Sequence, residues 1–163
     1  MTSDKCRQYV IRELYGSEVS LLKNFLYEAI FIPQGVEPPA RDIIEHPELR
    51  VYTDKFGTRK GDNCLVADLN GRVSGAVWTR IMNDYGHVDD DTPSFAISLY
   101  KEYRGQGIGS QFVVKMIELL KRHGYGKVSL AVQKANYAVK MYENVGFKTI
   151  DENAEEYIMM CEL

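Results

Sequence analysis

Apolar residues in this chain recur in two rhythms, one alternating with polar neighbours and one returning every three or four positions. Tyr9 to Leu14 reads as a first strand. Leu22, Phe25, Leu26, Ala29 and Ile30 then follow at helical spacing. Ser17 is placed to cap that helix, because its hydroxyl can accept from a free N–H of the first turn, and Pro33 and Gly35 are placed to stop it. Pro38-Pro39 makes a stiff connector. Arg41 to Ile44 and Glu48 to Tyr52 look like short helical pieces interrupted at Pro47, and the polar, glycine-containing stretch from Asp54 to Asp62 reads as a loop.

The pattern sharpens in the second half. Asn63 to Leu69 and Val73 to Ile81 are apolar runs separated by Asn70-Gly71, a pair that tolerates positive φ and so predicts a hairpin. A polar loop spans Asn83 to Thr92, and Ser94 to Tyr100 is a further strand. Ile108, Phe112, Val113, Met116, Ile117 and Leu120 share one helical face, with Lys121-Arg122-His123 at the end where positive charge complements the dipole and Gly124 closing it. Val128 to Val132 is a short strand. Tyr137 to Asn144 is a helix closed by Gly146, and Phe147 to Ile150 and Tyr157 to Cys161 complete the set. The order predicts an α/β domain spanning residues 1–163, in which the two strands flanking the Ile108 helix run parallel.

Composition narrows the function classes. The 163 residues carry a formal net charge of -3, so no nucleic-acid partner is expected, since phosphate binding needs a concentrated basic face. Cys6, Cys64 and Cys161 are scattered and show no zinc spacing, so no metal is implied. Met1-Thr2-Ser3-Asp4-Lys5 lacks the apolar run of a signal peptide, and no stretch approaches the roughly 20 apolar residues that cross a bilayer. These features point to a cytoplasmic protein with no membrane attachment.

The chemically informative segment is Arg104-Gly105-Gln106-Gly107-Ile108-Gly109-Ser110. It follows a strand and opens the most regular helix. Its glycines allow close approach to the backbone, the helix start offers free N–H groups and about half a positive charge, and Arg104 adds a full one. A pyrophosphate-like anion suits such a site. A P-loop is excluded, since no lysine follows Gly109. A dinucleotide fingerprint is excluded too, since Ser110 takes the third glycine slot and Tyr125 falls where an acid belongs. The pattern [QR]-x-x-G-x-[GA] does match from Arg104 to Gly109, although a glycine-rich turn that merely caps the helix would look the same.

This run resembles the acetyl-CoA pyrophosphate loop of the GNAT superfamily. A second stretch, Asn136-Tyr137-Ala138 followed by Tyr142-Glu143-Asn144-Val145-Gly146-Phe147, is similar to that family's N-x-x-A-x-x-x-Y-x-x-x-G-F segment. The two motifs cover Phe95 to Phe147, and the upstream hairpin with Gly75 fits as well. The resemblance implies the acyl-CoA N-acyltransferase (GNAT) fold, a mixed, mostly antiparallel sheet flanked by helices with two splayed parallel central strands. It also implies an N-acetyltransferase that uses acetyl-CoA as cosubstrate and a primary amine as acceptor, by direct attack through a tetrahedral intermediate. One departure stands out: the interval from Asn136 to Tyr142 is a residue shorter than in many relatives, which bears on whether Asn136 reaches the cofactor.

The family's site residues transfer position by position. Pantetheine would lie against Ile97, Ser98 and Leu99, with the Leu99 N–H at the developing oxyanion. Gly105, Gln106, Gly107, Ile108, Gly109 and Ser110 would cradle the diphosphate beside Arg104, with Asn136 as a further contact. Tyr142 matches the general acid: a phenol near pKa 10 and a thiol near 8.5 are matched closely enough for a proton to pass as the C–S bond breaks. No base is singled out. Glu28, His87 and Asp89-Asp90-Asp91 are candidates for base or acceptor contact, and a water chain would serve equally. Cys64 is disfavoured as an acyl carrier because it lies in an apolar strand with no adjacent base. The acceptor is a small-molecule or peptide amine, and the oligomeric state is open, a homodimer included. A non-catalytic acyl-CoA-binding sensor of the same fold is the alternative, with a nucleotide-binding domain third.

Overall fold

The computed structural model describes residues 9–82 and 87–163. Expectations resting on Met1-Thr2-Ser3-Asp4-Lys5, on Cys6 and on the loop's first part, Asn83 to Gly86, lie outside the described residues. In chain order the elements are β1 (Val10–Glu13), α1 (Leu21–Glu28), α2 (Pro47–Arg50), β2 (Asn63–Leu69), β3 (Arg72–Arg80), β4 (Ser94–Leu99), α3 (Ile108–Arg122), β5 (Lys127–Gln133), α4 (Ala138–Val145), β6 (Lys148–Glu152) and β7 (Glu156–Glu162). Short 3-10 turns stand at Gly16–Glu18, Arg41–Glu45 and Lys101–Tyr103.

The strands form one seven-stranded sheet in the order β1-β2-β3-β4-β5-β7-β6. Every neighbouring pair is antiparallel except β4 and β5, which run parallel as the chain pattern predicts. The β2–β3 hairpin turns on Asn70 and Gly71, at φ of 52° and 90°. Positive φ at both central positions is what a two-residue turn needs to match strand twist. The Gly71 N–H donates to the Asp68 carboxylate at 2.7 Å and fixes the turn.

Alternation along the strands sends side chains to two cores. Leu65, Ala67, Val77 and Phe95 pack under α3 and α4 with Phe112, Val113, Met116 and Phe147. Cys64, Val66, Ala76 and Trp78 pack under α1 and α2 with Leu22, Phe25 and Leu26. The centre of the sheet is therefore buried on both faces, and its central strands read as near-continuous apolar runs, whereas edge strand β6 is exposed throughout.

Two details differ from the sequence expectation. Ser17 does not cap α1: it lies inside the Gly16–Glu18 turn, and Ser20 precedes the helix without a side-chain cap. The turn forms because the Glu18 carboxylate accepts from the Tyr15 N–H at 2.9 Å and from both terminal nitrogens of Arg12. The Val19 N–H, which a Ser17 cap would have met, donates to Gly16 O at 3.5 Å. α1 also ends at Glu28, before Ile30 and Pro33. Its last carbonyl is met from outside by Arg104, whose Nη2 donates to Glu28 O at 3.3 Å, so a cation caps the C-terminus.

Candidate active site

The parallel pair β4–β5 is short. Its register contains one pair, Ser94 with Ser129, supported by the Ser129 N–H donating to Pro93 O at 3.0 Å. Beyond it β4 stays on β3 as far as Leu99, and β5 stays on β7 as far as Gln133. The two strands part, and the backbone groups between them are left facing a gap.

The pleat identifies which groups those are. Pro93 O faces β5, whereas the Tyr100 N–H turns the other way and donates to Ser74 O of β3 at 3.1 Å. Backbone direction alternates along a strand, so Phe95, Ile97 and Leu99 face the gap and Ala96 and Ser98 face β3. Ser98 therefore departs from the expectation that its backbone lines the cofactor channel: its peptide groups serve the β3 ladder. Gly75 tightens this ladder. A Cβ there would lie 2.5 Å from Ser98 O and 2.5 Å from Leu99 Cδ2. Gly75→Ala is expected to push the end of β4 outward and to cost about 1–3 kcal/mol in urea unfolding.

At the open end of the gap the chain makes a 3-10 turn and enters the glycine loop. Gly105 and Gly107 stand at φ of 73° and 84°, and Gly107 is the left-handed residue before α3. The first N–H to enter the helical ladder is that of Gln111, which donates to Gly107 O at 3.2 Å. The amides from Gly107 to Ser110 precede it and have no intrahelical acceptor. Gly105, Gln106, Gly107 and Ser110 are exposed, while Ile108 is buried and anchors the helix start in the α3/α4 core. Gln106 folds back, its Nε2 donating to Glu102 O at 3.1 Å. A Cβ on Gly109 would touch Met141 Sδ at 3.5 Å and Ile97 Cδ1 at 4.0 Å, so the first turn of α3, α4 and β4 converge at this residue.

Arg104 takes a different path from the one its charge suggested. Its Nε donates to Leu99 O at 2.9 Å, and its Nη2 reaches Glu28 O at 3.3 Å and Glu28 Oε2 at 3.5 Å. The guanidinium turns away from the loop and ties the end of β4 to the end of α1. Glu28 is thereby held beside Leu99, at the mouth of the gap.

Tyr142 projects from α4 into the core on the opposite face and is 5% exposed. Its ring meets Phe95 of β4 edge-on at 6.2 Å between centroids and Phe147 at 5.7 Å. Burial, with a smaller effect from Tyr137, pushes its phenol above the ordinary value, so the hydroxyl keeps its proton and is a weaker acid than the near match to a thiol expected from ordinary values. Asn136 is drawn into capping: its Oδ1 accepts from the Ala138 N–H at 2.9 Å, at the start of α4.

The remaining candidates lie elsewhere. Asp89 accepts from the Asp91 N–H and from Thr92 Oγ1, and pairs with Lys127 at 3.8 Å. His87 Nδ1 is 2.8 Å from Met82 O, and its Nε2 is 3.6 Å from Asp90. This cluster sits where β4 and β5 are still paired, about five residues or roughly 17 Å of strand from Leu99. Cys64 is buried on β2, and burial pushes its thiol well above the ordinary value, which suits a packed side chain rather than a nucleophile. Two features escaped the sequence reading, the Arg104–Glu28 tie and the side chain of Ser98. Partners 76 positions apart leave no local pattern to find.

Comparison with known proteins agrees with this geometry. The family model described as the acetyltransferase (GNAT) family matches residues 28–147. An acetyltransferase of Pectobacterium atrosepticum is 32% identical over 92 residues, which are 55% of this chain and 60% of that protein. The [ribosomal protein bS18]-alanine N-acetyltransferase of Haemophilus influenzae is 32% identical over 108 residues, 63% of this chain and 69% of its own. The chain spans about half the length of several curated relatives that it matches. Among solved structures, the PaiA N-acetyltransferase of Thermoplasma acidophilum, in complex with coenzyme A, superposes with a TM-score of 0.71 at 17% identity, covering 96% of this chain and 99% of its own. Among the described residues no helix is long and apolar enough to cross a membrane.

Proposed function

Since the chain belongs to the GNAT acetyltransferase family, we propose that it transfers the acetyl group of acetyl-CoA to a primary amine, residues 1–163 acting as one catalytic domain. The observation that carries this reading is the splayed β4–β5 pair, with the Ile97 and Leu99 backbone facing the gap and the unpaired amides of the glycine loop at its open end. A strand-like pantetheine arm fits backbone groups that lack a strand partner, and a diphosphate fits amides at a helix start. Acetyl-CoA supplies the activated acetyl group as a thioester.

Each residue then has a task. Gly105 to Ser110 hold the diphosphate through main-chain donors. Arg104 braces the Leu99 end of β4 against Glu28 and adds positive potential nearby. Ile97 and Leu99 present backbone groups to the arm, and the Leu99 N–H faces the side where negative charge develops on the thioester oxygen. Tyr142 Oη holds the proton destined for sulfur. The nitrogen lone pair forms the C–N bond as the carbonyl π pair moves onto oxygen. The tetrahedral intermediate collapses, the C–S bond breaks with its electron pair on sulfur, and sulfur takes the Tyr142 proton. The surplus proton on nitrogen leaves to water or through Glu28, and Tyr142 regains a proton from solvent before the next turnover. The acceptor is a small-molecule or peptide amine.

Free thiol release from acetyl-CoA, followed with a panel of primary amines, tests this. Amine-dependent release is expected. Tight coenzyme A binding with no release under any amine would instead favour a sensor. A second expectation concerns the loop. A Cβ on Gly107 meets no protein atom within 4 Å, so in Gly107→Ala the strain is confined to the backbone, about 1–2 kcal/mol at positive φ, and the added methyl stands in open space at the loop proposed to hold the diphosphate. Calorimetry should show coenzyme A binding weakened roughly tenfold.

A further inference from the structure

Ser98 carries the one buried side-chain N or O atom among the described residues that has no hydrogen-bond partner. The residue is 6% exposed. A buried hydroxyl left unbonded is a net cost to folding, and alanine would remove that cost with little loss of volume. The position of the side chain indicates a use for it. Ile97 and Leu99, its neighbours in β4, pack toward α3 and α4, while Ala96 packs toward α1 and Tyr100 meets Phe25 of α1 at 5.1 Å. Alternation puts the Ser98 hydroxyl on the α1 face, between two residues whose backbone groups face the gap.

Tyr142 reaches the same strand from the opposite face, through Phe95. A thioester lying in the gap would thus have its proton donor on one side of the sheet and the Ser98 hydroxyl on the other. The nucleophile approaches a carbonyl carbon from above or below its plane, and the α3/α4 face is taken by the acid. We propose that Ser98 Oγ orients the acceptor: it accepts a hydrogen bond from one N–H of the primary amine and leaves the nitrogen lone pair directed at the thioester carbon. A hydroxyl has two acceptor sites and one donor, so it can do this without taking a proton. Glu28, held at the end of α1 by Arg104, adds a negative charge on the same face. The oxygen lies out of solvent reach, so the amine meets it once the side chain turns to another staggered position. This inference rests on the transferase reading above.

The test uses the full chain with Ser98→Ala and Ser98→Cys, acetyl-CoA, and the best amine from a panel of a dipeptide, a polyamine and a lysine peptide. For Ser98→Ala the expected result is an unchanged or higher melting temperature, coenzyme A affinity within twofold of wild type by calorimetry, and kcat/KM for the amine lowered roughly tenfold, the worth of one hydrogen bond. Ser98→Cys restores the volume with a poor hydrogen-bonding group and should resemble alanine. Unchanged kcat/KM in Ser98→Ala, or full activity in Ser98→Cys, would overturn the role of the hydroxyl while leaving the transferase reading intact. A wild-type protein whose thiol release is raised by no amine in the panel would remove both.

Discussion

Tyr142→Phe is expected to lower kcat by about 10²–10⁴-fold while coenzyme A affinity stays near wild type. Phenylalanine keeps the ring that Phe95 and Phe147 pack against, so the fold loses little and the missing group is the proton on Oη. The raised phenol shapes the pH response. Burial holds Tyr142 protonated beyond the ordinary phenol range, so the acid form is fully present at neutral pH and the rate should not decline from loss of this proton below about pH 10. The rising limb of the profile should instead follow deprotonation of the amine and persist in Tyr142→Phe at its lower level. Stopped-flow or steady-state thiol release across pH 6–10, with wild type and variant side by side, checks both points. A variant with wild-type kcat throughout would reduce Tyr142 to a packing residue and leave the leaving thiolate to be protonated by water.

How much of this was legible in the chain depends on the range of the contacts involved. The Asn70-Gly71 hairpin, the α3 stripe and the glycine loop are local patterns, and β2 and the start of α3 fall at the expected residues. The parallel run of β4 and β5 was also readable, because a strand–helix–strand unit fixes it. The orientation of Arg104 was not. As a cation before a glycine loop it suggested a phosphate ligand, yet its guanidinium is drawn 76 positions back to Glu28. α1 also stops short of Pro33 and Gly35, its last carbonyl taken by the same guanidinium. Ser17 failed as a cap because Arg12 and Glu18 close a turn around it. For Arg104 the deciding partner lay far outside the window in which periodicity operates; at Ser17 it was a local side-chain ion pair, which periodicity does not read.

That range effect gives Arg104 two consequences worth separating. Its side chain braces Leu99 O, on the residue whose N–H faces the thioester position, so removing it alters the geometry of β4 as well as the local charge. An Arg104→Lys variant keeps the charge but loses the fork that spans Leu99 and Glu28. It should therefore bind coenzyme A almost as well as wild type and lose more in kcat than in affinity, a split that steady-state kinetics with calorimetry resolves.

The largest stability effect is expected at Asp62. Arg80 and Asp62 form a twin hydrogen-bonded ion pair at 2.9 Å with side chains 0% and 1% exposed. Arg80 also donates to Val51 O and Asp54 O, so the end of β3 holds the whole segment after α2 against the sheet. Asp62 further accepts from the Gly57 and Arg59 N–H groups. Asp62→Ala leaves a buried guanidinium without its counter-charge, which typically costs about 3–5 kcal/mol, enough to consume a large part of an ordinary domain's stability. Burial alone would raise the Asp62 carboxyl, but the bonds from Arg80 and the two amides together outweigh it and leave the group below the ordinary value. The stability it confers is therefore fully present above the unfolded-chain value, about pH 4, and is lost as pH falls through the lower folded value. Urea unfolding should show wild type and Asp62→Ala far apart at pH 7 and converging in acid. A gap that stayed constant down to pH 2 would mean that the carboxylate contributes by shape rather than by charge.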